Sequence, residues 1–297
     1  MPTAALNRLM LITTASAALS ACSPATLLNV LAPSSTYDLA TGLPYGHSTR
    51  QALDVYIPTT RTPRSEPMPV VVFFYGGSWQ SGERDEYRFV GEALASRGMI
   101  VVIPDYRKYP EVVFPAFMDD AARAVRWARD HAQAYGGDKH RLILMGHSAG
   151  AQIVALLATD RRYLNTYRVG QQEIAAVVAL AGPYDFLPLR SKVLERIFPI
   201  TVRDDSQPIR FVTGREPPMW LGVGNSDSLV DPGNTERFAD RLSEMGDNVH
   251  VQRYDLGHLL LLGALGLPIR KFSTVLDDIA AYVDSVPASA SDDPGGS

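Results

Sequence analysis

The stretch Leu142–Leu157, LILMGHSAGAQIVALL, contains a strand pattern, a tight turn and a helix pattern in succession. Leu142 to Met145 form an apolar run of strand type, and apolar residues continue at helical spacing after Gly150. Ser148 stands between two glycines at the turn. In a parallel sheet such a turn lies at the carboxyl ends of the strands, where ligands bind. Ser148 is therefore predicted to face a ligand site.

The same alternation of strand and helix patterns extends over most of the chain. The predicted strands are Leu53 to Ile57, Val70 to Tyr75, Ile100 to Ile103, Leu142 to Met145, Ala176 to Leu180, Trp220 to Val223 and Val249 to Tyr254. Between them lie helical patterns, of which FMDDAARAVRWARDHAQAYGG (117–137) is the clearest. The alternation predicts an α/β fold with a mostly parallel central sheet flanked by helices. The proline-rich segment Pro183–Pro218 predicts at most a small lid or a surface excursion.

Composition gives the predicted boundaries of the domain. Residues 1–21 have a charged start and a short apolar stretch, which is typical of a secretory signal. Residues 22–44 are rich in Ser, Thr, Pro and Gly and are interpreted as a tether and entry arm. The α/β domain is predicted to cover 45–283, and 284–297 are predicted to form a disordered tail.

Cys22 is the only cysteine in the chain. The preceding Leu19-Ser20-Ala21 and Cys22 together resemble the lipobox of bacterial lipoproteins, in which the cysteine is lipidated and begins the mature protein. We therefore expect export and attachment to a membrane of a bacterial cell envelope, in the periplasm or at the outer membrane. The alternative is a free thiol in an ordinary cleaved signal, because a lone cysteine cannot form an internal disulfide.

The overall charge argues against nucleic acid as a partner. The 297 residues carry a formal net charge of −4 and no basic stripe. No pair or cluster of His and Cys has metal-ligand spacing, so no metal or other cofactor is expected. A small molecule is the expected ligand.

A serine hydroxyl needs a neutral imidazole to accept its proton and a carboxylate to orient that imidazole. Among the six histidines, His258 lies just past the last predicted strand, in a Gly-His turn. His250 lies within that strand, and His147 is expected to point away from its neighbour Ser148. These positions favour His258 as the base.

Two carboxylates follow the strand Trp220 to Val223. Asp227 comes first beyond the strand and is the preferred partner of His258. Asp231 is the alternative, although its place before Pro232 favours a role in the turn that leads to a helix capped near Asn234.

The strand Val70 to Tyr75 ends in Gly-Gly-Ser-Trp (76–79). Because glycine has no side chain, backbone N–H groups in this loop can point into the site and bind a developing oxyanion.

Taken together, GHSAG, VIPDYRKYP, GNSDSLVDPGNT and LGH resemble the α/β-hydrolase superfamily. The Ser, Asp, His order is the order of that superfamily. The resemblance is strongest to its esterase branches, namely the BD-FAE-like, hormone-sensitive-lipase-like and kynurenine-formamidase-like enzymes, and covers roughly 45–283. It implies that the N–H groups of Gly77, Ser78 and Ala149 form the oxyanion hole. The chain departs from these branches at Tyr75, where they usually have a histidine, and at Ser78, where the lipase-like branch has a glycine.

The resemblance implies a serine carboxylic-ester hydrolase that acts on a small or medium ester through an acyl-enzyme. Two other functions stay open from the sequence. One is a formamidase or amidase with the same triad, and the other is a non-catalytic surface lipoprotein that binds a ligand. The sequence does not indicate the oligomeric state.

Overall fold

The computed structural model describes residues 24–59 and 67–289, in which eight strands form one sheet. The strands are β1 (Tyr37–Pro44), β2 (Ala52–Pro58), β3 (Met68–Phe74), β4 (Ile100–Pro104), β5 (Gly137–His147), β6 (Ile174–Leu180), β7 (Met219–Gly224) and β8 (Val249–Tyr254). Their order in the sheet is β1-β2-β4-β3-β5-β6-β7-β8. β2 is antiparallel to both neighbours, and the pairs from β4 to β8 are parallel.

Helices flank this sheet, as the sequence predicts. In the described part of the chain the α-helices are α1 (Pro24–Leu31), α2 (Arg88–Ala95), α3 (Ala116–His131), α4 (Ala149–Thr159), α5 (Arg161–Thr166), α6 (Lys192–Ile197), α7 (Gly233–Glu244), α8 (His258–Gly263) and α9 (Val275–Ser285). α2 packs on α9, and α3 packs on α4 and α5. The predicted α/β class with a mostly parallel sheet is confirmed.

Burial explains why the central strands are easy to predict. All residues of β6 and β7 are buried, and so are all but the first residue of β3. A parallel strand covered by helices on both faces is a continuous apolar run. All seven predicted strands are present, with ends that differ by a few residues.

The amino-terminal boundary of the domain differs from the prediction. The predicted tether and entry arm, 22–44, contains α1 and β1, and β1 pairs with β2 from Tyr37–Pro58 to Pro44–Ala52. Leu28 of α1 is buried, and a Cβ added to Gly263 would lie 3.7 Å from its Cδ1 atom. β1 is not predicted from the sequence because most residues of this edge strand face solvent. Its apolar and polar residues do not alternate as they do in a half-buried strand.

The carboxyl-terminal boundary is also later than predicted. α9 ends at Ser285 rather than near Val283, and Val286 is buried. The Ser289 amide donates to the carbonyl of His140. The ordered domain therefore includes the first residues of the predicted tail, because Val286 adds apolar area to the core. Residues 290–297 lie outside the described part.

The segment Pro183–Pro218 is packed against the rest of the domain. It contains α6 and two short 3₁₀ turns at 203–206 and 208–211. Ile197 and Phe198 within it are fully buried. Of the two predicted forms, the segment is closer to a small lid than to a free excursion.

The predicted signal 1–21 and Cys22 lie outside the described residues. No helix in 24–59 or 67–289 is long and apolar enough to cross a membrane.

Candidate active site

Ser148 lies at the turn between β5 and α4, where the backbone is strained. Its φ and ψ are 56° and −121°, in a region that few non-glycine residues adopt. A Cβ added to Gly146 would lie 2.2 Å from the carbonyl oxygen of Gly150. A Cβ added to Gly150 would lie 1.9 Å from that of Phe74. The two glycines are required because strand, helix and the neighbouring β3 meet in close contact.

His258 is brought to Ser148 by the last strand of the sheet. It is the first residue of α8 and follows β8 after a three-residue connection. Its Nε2 atom lies 2.9 Å from Ser148 Oγ, although the two residues are 110 positions apart. The structure thus places the predicted histidine within hydrogen-bond reach of the predicted nucleophile.

Asp227 lies on the other side of the His258 ring. Its Oδ2 atom is 2.7 Å from His258 Nδ1, and its Oδ1 atom accepts hydrogen bonds from the amides of Leu229 and Val230, both at 2.9 Å. The two amides fix the carboxylate. Because a carboxylate only accepts hydrogen bonds, Nδ1 carries the proton and Nε2 presents its lone pair to Ser148.

Asp231 and His250 are not part of this hydrogen-bonded chain. The side chain of Asp231 is 72% exposed, and its Oδ1 atom accepts from the amide of Gly233 at 3.0 Å. This is the turn role that the position of Asp231 before Pro232 favours in the sequence. His250 lies on β8 and its ring stacks on Trp220, with 6.4 Å between ring centroids.

Asn234 does not cap α7, and the sequence-based prediction is wrong here. α7 begins at Gly233, with Pro232 as the N-cap residue. Asn234 Oδ1 instead accepts hydrogen bonds from the amides of Tyr184 and Asp185, at 3.2 and 3.0 Å. The side chain thus ties α7 to the start of the segment 183–218, a contact that no local pattern could indicate.

His147 supports the site in a way that sequence reasoning misses. Its Nε2 atom donates to the backbone carbonyl of His258 at 3.0 Å, and the two ring centroids are 4.8 Å apart. Burial, aided by the neighbouring His258, lowers the pKa of His147 to about 3. The neutral ring therefore fixes the backbone of His258 over the working pH range. The only signal in the sequence is its place beside Ser148.

The loop of Gly77 and Ser78 lies beside Ser148. A Cβ added to Gly76 would lie 2.9 Å from the Cβ atom of Ser148. Gly77, Ser78 and Trp79 all have positive φ values, of 118°, 53° and 58°. The loop therefore curls tightly, and the carbonyl of Gly77 accepts from the amides of Gln80 and Ser81, both at 3.0 Å.

Ala149 follows Ser148 as the first residue of α4. The first amides of a helix have no partner within the helix, so the Ala149 N–H is placed at a helix amino terminus next to the serine. The structure thus gathers the three residues that the resemblance assigns to the oxyanion hole around Ser148.

A cavity of about 440 Å³ opens at Ser148. Apolar side chains of the segment 183–218 and of the Asp227 loop form much of its wall, namely Phe186, Leu187, Leu189, Leu194, Leu229 and Val230. Trp79 also lines it, and its Nε1 atom donates to Gln152 Oε1 at 3.1 Å. The cavity can hold a small or medium organic group against the nucleophile. Within 24–59 and 67–289, no group of three or more His, Cys, Asp or Glu side chains could hold a metal ion.

Comparisons with known proteins agree with this geometry. Esterase LipC of Mycobacterium tuberculosis is 29% identical over 239 residues, which are 74% of this chain and 57% of that protein. A probable isoprenylcysteine alpha-carbonyl methylesterase of Arabidopsis thaliana, ICMEL2, is 41% identical over 67% of this chain and 51% of its own. The chain thus spans about half the length of the curated relatives it matches.

Solved structures share the fold. Esterase B from Lactobacillus rhamnosis superposes with a TM-score of 0.76 at 19% identity, over 93% of this chain and 96% of that one. A truncated carbohydrate esterase from gut microbiota has a TM-score of 0.72 at 19% identity, over 85% and 97% of the two chains. The fold is the α/β-hydrolase fold. The BD-FAE family model matches residues 53–242, which is more than half of the chain, and the chain therefore belongs to the BD-FAE family.

Proposed function

We propose that the protein is a serine carboxylic-ester hydrolase with Ser148 as nucleophile, His258 as general base and Asp227 as the carboxylate that orients it. The observation that carries the proposal is the hydrogen-bonded chain from Ser148 Oγ through both His258 nitrogens to Asp227, beside a cavity that Ser148 lines. The esterase names of the relatives support ester hydrolysis over an amidase with the same triad. The presence of all three groups supports an enzyme over a binding module.

The first half of the reaction makes an acyl-enzyme. His258 Nε2 accepts the proton of Ser148 Oγ as Oγ forms a bond to the ester carbonyl carbon. The tetrahedral intermediate then collapses and expels the alcohol, which takes the proton from His258. Asp227 stabilises the transient imidazolium through Nδ1.

The second half returns the enzyme to its starting state. A water molecule gives a proton to His258 Nε2 and attacks the acyl carbon. Collapse of this second intermediate releases the carboxylic acid, and Ser148 Oγ regains the proton. In both halves the N–H groups of Gly77, Ser78 and Ala149 stabilise the negative oxygen.

The cavity supports a small or medium ester as substrate. Its volume of about 440 Å³ lies near the lower end of the range for small-molecule sites. The apolar part of its wall favours a hydrophobic acyl or alcohol group.

The proposal is tested by hydrolysis of p-nitrophenyl esters of increasing acyl length by the full chain. We expect Ser148→Ala to lower the rate by about 10⁶-fold and to abolish labelling by a fluorophosphonate, with an unchanged melting temperature. The matched control is Ser243→Ala, which replaces an exposed serine on α7. This variant should keep both the wild-type rate of hydrolysis and the labelling by the fluorophosphonate. Activity of Ser148→Ala within tenfold of the wild type would refute the assignment.

The membrane attachment is also a proposal. Two features support lipidation of Cys22 in a bacterial cell envelope. One is the resemblance of residues 19–22 to a lipobox. The other is that α1, which begins two residues later, exposes Leu27, Val30 and Leu31. Apolar side chains beside a lipid anchor fit the surface of a membrane.

A further inference from the structure

Tyr75 is buried at the end of β3, immediately before the loop 76–82 that carries the proposed oxyanion donors. Its hydroxyl donates to Asp105 Oδ1 at 2.6 Å and accepts from Lys108 Nζ at 2.8 Å. Its ring stacks between those of Tyr87 and Tyr106, each with a centroid distance of 5.0 Å. Tyr75 is therefore fixed both by packing and by hydrogen bonds.

Lys108 links the two ends of the loop. Its Nζ atom donates to the carbonyl of Gly82, at the far end, at 2.6 Å, in addition to Tyr75 at the near end. The next residue, Tyr109, donates its amide to the carbonyl of Trp79 in the middle of the loop at 2.9 Å. Residues 108 and 109 thus hold the beginning, the middle and the end of the loop.

The loop needs such external support. Three consecutive residues, Gly77, Ser78 and Trp79, have positive φ values, and two of them are not glycine. A backbone in this region persists only where surrounding contacts hold it. The hydrogen bonds of Lys108 are charge-assisted while its amine is protonated, and such bonds are roughly twice as strong as neutral ones.

The neighbouring carboxylate does not neutralise Lys108 directly. Asp105 is paired with Arg84 and accepts the hydroxyl of Tyr75, so the hydrogen-bond partners of Lys108 Nζ are a phenol and a carbonyl. Lys108 is only 5% exposed, and burial lowers the pKa of its amine to about 8, against the opposing effect of Asp105. The charged and titratable groups that face it are Arg50, Tyr75, Glu83, Glu86, Asp105 and Tyr106.

We propose that Lys108, acting through Tyr75 and Gly82, is a positioning residue that holds the loop of Gly77 and Ser78 in the shape that binds the oxyanion. This inference rests on the proposed function. Lys108 does not line the cavity at Ser148. It supplies the support for the loop in a chain where tyrosine replaces the usual histidine.

The arrangement has a consequence for the pH dependence. Below about pH 8 the amine is charged and the loop is held by strong hydrogen bonds. As the pH rises through about 8, Lys108 loses its proton, the bonds weaken and the oxyanion is bound less well. The value of kcat should therefore fall on the alkaline side, with KM little changed because the walls of the cavity stay in place.

The experiment compares Lys108→Met and Tyr75→Phe of the full chain with the wild type, using p-nitrophenyl acetate from pH 6 to about pH 10, a range that brackets the titration of Lys108. We expect Lys108→Met to lower kcat at pH 7 by about 10- to 100-fold, as a small misplacement of catalytic groups does, with KM within about threefold. The alkaline fall should be absent in Lys108→Met. Because both residues act through one network, the double variant should lose little more than Lys108→Met alone.

Matched variants control for the chemistry of the substitutions. Lys271→Met removes an exposed lysine, and Tyr282→Phe removes a buried hydroxyl that has no hydrogen-bond partner among the described residues. Both should keep the wild-type pH profile. If the wild type is active and Lys108→Met keeps both its kcat and an alkaline fall near pH 8, this inference is overturned while the proposed function stands. If the wild type hydrolyses no ester, both are overturned.

Discussion

At the residue scale, the surroundings of two carboxylates separate their roles. Asp227 and Asp231 lie in one loop and both follow β7. Asp227 is buried, with one oxygen held by two amides and the other directed at His258. Asp231 is exposed and holds the turn before α7. The same side chain therefore serves the triad in one place and the turn in the other.

Exchange of each carboxylate for an amide tests this difference. Asp227→Asn should lower kcat by on the order of 10⁴-fold, because an amide can hold His258 in the wrong tautomer. Asp231→Asn should keep kcat and change the stability by less than about 1 kcal/mol, since asparagine can still accept the amide of Gly233. Steady-state rates of both variants measure the change in kcat, and their melting temperatures measure the change in stability. Loss of activity in Asp231→Asn alone would mean that the loop presents its second carboxylate to His258.

The role of His258 as the base predicts how kcat/KM depends on pH on the acid side. The value of kcat/KM should fall toward acid pH, because a protonated His258 cannot accept the proton of Ser148. His147 does not contribute to this fall, since burial keeps its pKa at about 3. The fall should persist in His250→Ala, whose ring lies on β8. His258→Ala should lose nearly all activity and show no such fall in what remains; the reverse pattern would identify His250 as the base.

At the element scale, the approach of α4 to β3 and β5 decides the position of the nucleophile. The glycines of the turn let the helix start directly against the sheet, and the amide of Ser148 donates to the carbonyl of Leu180 at the end of β6 at 2.9 Å. The strained serine is thus held by three neighbouring strands. This rigid setting keeps the hydroxyl in line with His258.

Gly150→Ala should disrupt this contact. The new Cβ would lie 1.9 Å from the carbonyl oxygen of Phe74, so the helix must shift away from β3. We expect a loss of stability of about 3 kcal/mol or more and a large loss of activity. Gly263→Ala in α8 is the control, because the nearest atom would be 3.7 Å away. Thermal unfolding of both variants measures the effect, and equal melting temperatures would contradict it.

At the scale of the whole molecule, the amino-terminal segment belongs to the domain. α1 packs beside α8, whose first residue is His258, and β1 covers the outer edge of β2. An anchor at Cys22 would therefore join the domain almost directly, without a long tether. This arrangement would hold the domain close to a membrane surface.

The anchor is tested by expression of the full chain in a bacterium with labelled palmitate. The wild type should incorporate the label and sediment with membranes, and Cys22→Ser should do neither. A wild type without label would reduce the lipobox to a chance match within an ordinary signal. Hydrolysis of p-nitrophenyl acetate by both forms shows whether the substitution affects the domain itself.

Features that depend on local patterns of residues could be predicted from the sequence. The central strands β3 to β7 each contain a continuous apolar run, and the turn at Ser148 has a glycine two residues before and two residues after the serine. Both features can be read from neighbouring residues. Ser148, Asp227 and His258 could be named because each follows a predicted strand at its carboxyl end. The order of the three residues along the chain and their positions after strands were therefore enough to choose them.

Features that depend on contacts between distant residues could be found in the folded structure alone. β1 is mostly solvated and becomes a strand because β2 offers a free edge. His147 bonds to His258 across 111 positions, and Lys108 reaches Tyr75 across 33. Such contacts leave no periodic signal in the sequence, because they depend on where the folded backbone places each polar group that burial requires to be paired.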